Sequence, residues 1–113
     1  MYQGQFDSII KKDNGNIIVT FVGDANSNYA VYINEFTSNL INVYSFEYSY
    51  TEVAESPLIA TDGVNVYMTS NNKRSISKYN SSWVLQWTKD LPYDLIEITC
   101  NSGFVFALIR AYI

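Results

Sequence analysis

Residues 58–91, LIATDGVNVYMTSNNKRSISKYNSSWVLQWTKDL, constrain this chain more than any other stretch. Runs rich in β-branched and aromatic residues at 58–61, 64–70, 74–79 and 83–89 are separated by Asp62-Gly63, Asn71-Asn72 and Asn80-Ser81-Ser82. Short runs of this kind bounded by turn residues are strand and hairpin signals. The stretch therefore reads as a four-stranded antiparallel meander, the form of one β-propeller blade.

The same pattern recurs along the chain. SIIKKDNGNIIVT at 8–20 lies over LIATDGVNVYMT at 58–69 with one residue of slack at the turn, and a third copy starts at Ile96. In the second half of the unit Ile33, Phe36, Ser38, Leu40, Ile41 and Tyr44 fall over Ile76, Tyr79, Ser81, Trp83, Val84 and Trp87 without a gap. The turn glycines Gly15, Gly63 and Gly103 follow one another at 48 and 40 residues, the period of blade repeats. The difference is assigned to a longer loop at 23–28 and a longer link at 48–56.

The expected architecture is all-β: one domain over 1–113, a partial β-propeller with units at about 6–50 and 56–91 and an incomplete third at 94–113. A two-sheet β-sandwich is the alternative that fits the same strands. The first unit is expected to place strands at 6–12, 17–22, 29–36 and 40–49. Ile17, Val19 and Phe21 alternate with Ile18, Thr20 and Val22, so both faces of the second strand are expected to be covered. In the fourth, Tyr44, Phe46, Tyr48 and Tyr50 share one face opposite Val43, Ser45, Glu47 and Ser49, which suits a partly exposed rim. Residues 58–91, flanked by units on both sides, are expected to be the best-buried part of the chain. A two-and-a-half-unit arc exposes an apolar face and an unpaired edge at each end, and such edges recruit partners.

KYNSSWVLQWTKDL at 78–91 resembles the outer-strand segment of quinoprotein-like (pyrroloquinoline-quinone-type) propeller repeats. Trp87 falls at the family's tryptophan, Tyr44 at its counterpart in the first unit, and TDGVNVY at 61–67 at the turn into the second strand. The resemblance implies a packing role for Trp87 between blades. A complete ring of that family has several more blades than this chain holds, and no set of cofactor ligands is recognisable, so no cofactor is expected.

Charge and composition narrow the function. A net charge of −4 with seven Lys and Arg, scattered or paired at 11–12 and 73–74, gives no basic face for nucleic acid. The chain has no histidine, which removes Ser-His-Asp and Cys-His nucleophiles and the commonest metal ligand. The aspartates at 7, 13, 24, 62, 90 and 94 mostly fall where Asp accepts backbone hydrogen bonds at turns and strand ends. No phosphate-cradling glycine motif is present. The single cysteine, Cys100, lies in an apolar run and is expected to be a buried free thiol.

Asp24, Asn26, Asn28 and Glu35 occupy the first, third, fifth and twelfth positions of an EF-hand-like loop, but Tyr29 stands where the turn needs Gly. A polar hairpin loop is therefore the preferred reading there. The N-terminal segment lacks the features of a signal peptide, and no run approaches a membrane span. The protein is expected to be made in the cytoplasm. A preference for Asn, Ile, Tyr and Phe fits the AT-rich coding of many bacteriophages.

The expected function is a non-enzymatic structural or interaction module, completed by copies of itself or by a larger assembly such as a phage virion. The expected partners are protein, not nucleic acid or membrane. Two alternatives stand beside it: a lectin-like propeller binding carbohydrate through Tyr48, Tyr50, Trp83 and Tyr93, and a fragment of a larger quinoprotein-like enzyme.

Overall fold

In a computed structural model the backbone is described for residues 3–25, 28–50, 57–70, 73–101 and 104–109. Side chains are described for the same residues except 3–7, 24, 25, 28, 29 and 48–50. The protein is all-β and antiparallel, with no helix among these residues. It divides into two compact units, Met1–Ser56 and Pro57–Ile113.

The first unit is a four-stranded meander of β1 (Gln3–Lys11), β2 (Ile17–Ala25), β3 (Asn28–Phe36) and β4 (Asn42–Tyr50). The second contains another, β5 (Ile59–Thr61), β6 (Val66–Thr69), β7 (Ser75–Tyr79) and β8 (Leu85–Asp90), and a separate hairpin, β9 (Leu95–Asn101) and β10 (Phe104–Ile109). Among the described residues no sheet closes on itself.

Local chemistry sets the turns. Lys12 N–H donates to Asn16 O at 2.8 Å and Gly15 N–H to Lys12 O at 3.0 Å, with Gly15 at φ 90°. Asp62 organises the next unit's first turn: its carboxylate accepts Val64 N–H at 2.9 Å and Asn65 N–H at 2.7 Å around Gly63, which has φ 103°. These are backbone conformations that glycine adopts without the Cβ clash other residues incur.

The β3–β4 and β7–β8 turns repeat one geometry 43 residues apart. Thr37 N–H donates to Ile41 O and Leu40 N–H to Thr37 O, both at 2.8 Å. Asn80 N–H donates to Val84 O at 3.0 Å and Trp83 N–H to Asn80 O at 2.9 Å. Leu40 and Trp83 both have φ 63°. The strand register shifts just before each turn, between Glu35 and Phe36 and between Lys78 and Tyr79.

The β2–β3 connection departs from expectation. Gly23, Asp24 and Ala25 pair with Ala30, Tyr29 and Asn28, so most of the anticipated loop at 23–28 is strand. Backbone pairing continues a ladder whatever the polarity of the side chains, which a hydropathy pattern does not register.

Burial is uneven across both units. In the first, Ile18, Thr20, Ile33 and Glu35 lie on a buried face, while Ile17, Val19, Phe21 and Phe36 on the opposite face are only half-buried. The alternation was legible, but covering of both faces was not realised. On β4, Tyr44 and Phe46 are half-buried and Val43, Ser45 and Glu47 exposed, as expected of a rim. In the second unit β6 is buried at every position and β8 exposed at every position. The best-buried part is therefore β6 rather than the whole of 58–91.

Candidate functional site

The hairpin β9–β10 sorts its residues by alternation. Leu95 and Ile98 join Ala60, Tyr67 and Ile76 in a buried cluster, with Cys100 and Val105 packed against it. This inward face covers the side of the β5–β8 sheet that carries Tyr67. The outward row of β10 stays open: Phe104 is 68% exposed, Phe106 55% and Leu108 58%. The Phe104 and Phe106 ring centroids are 6.5 Å apart. Across the ladder these three pair with Asn101, Thr99 and Glu97. Among the described residues the other edge of β10 pairs with no strand. Three large apolar side chains on one row beside an unpaired edge are the features of a docking surface.

Between the sheet and β10 lies an open cleft of about 580 Å³, lined by Ile76, Trp87, Lys89, Leu91, Val105 and Ala107. Trp87 is 38% exposed and its ring lies 6.0 Å from that of Tyr67, tilted by 54°. It packs on a core tyrosine and still faces the cleft. Lys78, beside Trp87 on β7, places its Nζ 5.8 Å from the Tyr67 ring centroid.

Behind the cleft Tyr67 O–H donates to Asp62 Oδ2 at 3.3 Å. Burial opposes ionisation of Asp62, but hydrogen bonds from Asn65, Val64 and Tyr67 hold its carboxyl below the usual range. Burial, and then the Asp62 charge, push the Tyr67 phenol up. The same two causes push the Cys100 thiol up to about 11, so it is protonated and a poor nucleophile at neutral pH.

The first unit carries a second open surface, a trough of about 380 Å³ lined by Ile17, Val19, Phe21, Asn34, Phe36 and Leu40. Leu40 is 70% exposed, and Ile9, paired with Val19, is 66% exposed. Phe21 and Tyr32 stack at 4.9 Å on this face, and Ser45 Oγ donates to Asn34 Oδ1 at 2.7 Å. On the opposite, buried face, Lys12 Nζ lies 3.2 Å from Glu35 Oε2, which also accepts Asn16 Nδ2 at 2.7 Å. Lys12 and Glu35 are each 3% exposed.

That ion pair removes Glu35 from the calcium-loop pattern. Glu35 pairs with Ile18, seven residues along β3 from Asn28, a separation of roughly 23 Å at strand rise. Asp24 is in β2 and Asn26 lies outside the described residues. Among the described residues no three His, Cys, Asp or Glu side chains are grouped to hold a metal.

The four aromatic residues singled out in the sequence are spread over both units. Tyr48 and Tyr50 are in β4, their backbones paired with Val31 and Tyr29; their side chains lie outside the described residues. Trp83 occupies the left-handed position of the β7–β8 turn, its ring 6.0 Å from that of Tyr79. Tyr93 is exposed in the link after β8. Trp83 and Tyr93 thus sit beyond opposite ends of the six-residue β8, about 20 Å of strand. The residues sequence reasoning did not single out for a surface are Phe104, Phe106 and Leu108, although their spacing of two was readable.

In comparison with known proteins, no family model matches the chain and no curated protein gives a significant match.

Proposed function

We propose that this chain is a non-enzymatic interaction module, a partial β-propeller completed by self-association. The observation that carries the reading is the outward row Phe104, Phe106 and Leu108 on a hairpin that packs over a four-stranded sheet as one blade packs over the next. The identical turns at Thr37–Leu40 and Asn80–Trp83 support a blade-like repeat. A protonated Cys100 and the absence of histidine support a role other than catalysis. A quinoprotein-like origin and a place in a virion remain extensions of this reading, drawn from the repeat pattern and composition. Size-exclusion chromatography with light scattering on the full chain tests it. A mass above one chain is expected, and a monomer at every concentration overturns it.

A second reading, a carbohydrate-binding propeller, rests on Trp87 at the cleft beside Thr88 and Lys89. A glycan array whose binding is lost in Trp87→Ala supports that reading. An array with no binder removes it.

A further inference from the structure

Resting on the reading of a self-associating module, we propose that copies join head to tail: the outward face of hairpin β9–β10 in one copy receives the trough face of the first unit of the next. The second unit already shows how such faces fit. There Ile98, Cys100 and Val105 of the hairpin pack against Ala60, Tyr67 and Ile76 of the neighbouring sheet. Strand register relates that sheet to the first unit. Tyr67 pairs with Lys78 and Thr69 with Ile76, as Ile18 pairs with Glu35 and Thr20 with Ile33.

The first unit's buried face therefore corresponds to the face the hairpin covers. Its trough, with Ile17, Val19 and Phe36, is the opposite face, and the corresponding residues Val66 and Met68 in the second sheet are buried. One apolar trough and one apolar hairpin face are left open in each copy, and they are different surfaces. A sheet back and a sheet front are the two halves of one stacking contact.

Charge selects the same pairing. Lys11 lies beside Ile17 at the trough, and Glu97 beside Leu108 on the hairpin face; both are exposed. Neither has a partner among the described residues. Joining trough to hairpin puts unlike charges on the two sides of the contact, whereas hairpin to hairpin puts Glu97 on both sides and trough to trough puts Lys11 on both sides. The occupant of each face is thus a second copy, and the contact is heterologous. Such a contact closes a ring or extends a filament according to its rotation.

Two full-chain variants test this. Phe106→Asp blocks the hairpin face; Ile9→Asp combined with Leu40→Asp blocks the trough. Each alone is expected to be monomeric by light scattering, with unchanged far-UV circular dichroism. Mixed, they are expected to form a 1:1 complex through the one intact face of each.

If only the hairpin variant is monomeric, the contact is hairpin to hairpin and the head-to-tail proposal is overturned while self-association stands. Failure of the mixture to pair also overturns it. A wild-type chain that is itself monomeric removes the underlying reading instead. Should an Asp variant misfold, Lys11→Glu and Glu97→Lys provide the same test. Each alone weakens association about twofold to fivefold, and mixing the two recovers it; two swaps without effect overturn the pairing.

Discussion

Thr20 is fully buried and its Oγ1 has no hydrogen-bond partner among the described residues. A buried unsatisfied hydroxyl costs about 1–3 kcal/mol. Thr20→Val keeps the shape and removes that penalty, so thermal unfolding should shift upward by several degrees. The Lys12–Glu35 pair behaves in the opposite way. Removing one partner leaves a buried charge, and Lys12→Met should cost about 3 kcal/mol in denaturant unfolding. The double variant Lys12→Met, Glu35→Leu should recover most of it. This pair was invisible in sequence because its members are 23 residues apart and meet only through strand register. Asp24 and Glu35, by contrast, looked associated by spacing and are held apart by the same register.

Two titrations belong at this scale. The thiol of Cys100 is raised from 9.0 to about 11 in the fold. The unfolded chain releases its proton first, so the stabilisation is complete below pH 9 and is lost as pH rises toward 11. Tyr67 is shifted in the same direction from 10.0 and extends the loss to higher pH. Thermal melts should therefore fall above pH 9, and Cys100→Ala should flatten the first part of that decline. Asp62 has a lowered folded pKa, so its contribution is present above its ordinary value of 3.8 and is lost on acidification below it. Asp62→Asn should reduce the acid dependence of the melt.

At the scale of elements, strands and turns were largely legible. Expected strands at 74–79 and 83–89 became Ser75–Tyr79 and Leu85–Asp90, since turn residues mark ends sharply. The gapless match of Leu40 to Trp83 was visible, and both proved to hold the same left-handed backbone. What the pattern did not reveal was that a non-glycine residue accepts this conformation twice. A left-handed residue with a Cβ costs roughly 1 kcal/mol, and Asn tolerates the conformation better. Because Leu40 is largely exposed in a single copy, Leu40→Asn should stabilise the monomer by up to about that amount, measured by urea unfolding at a concentration low enough to keep copies apart. Alternation identified apolar faces correctly, but it could not say which would be covered. That depends on what packs against each sheet, which is why Ile17 and Val19 were expected to be buried and Phe104 and Phe106 were overlooked.

The molecule as a whole leaves two unlike apolar faces open, the trough of the first unit and the outward row of the hairpin. Both faces are apolar and open to solvent, the kind of surface at which protein contacts form. Of the aromatic set drawn from the sequence, Trp83 and Tyr93 lie beyond opposite ends of β8, which keeps those two side chains apart. Self-association accounts for both open faces with one contact. The most direct measurement is native mass spectrometry of the wild-type chain over rising concentration. Self-association predicts that integral multiples of the chain mass appear and grow at the expense of the monomer. A single monomeric species throughout would contradict it.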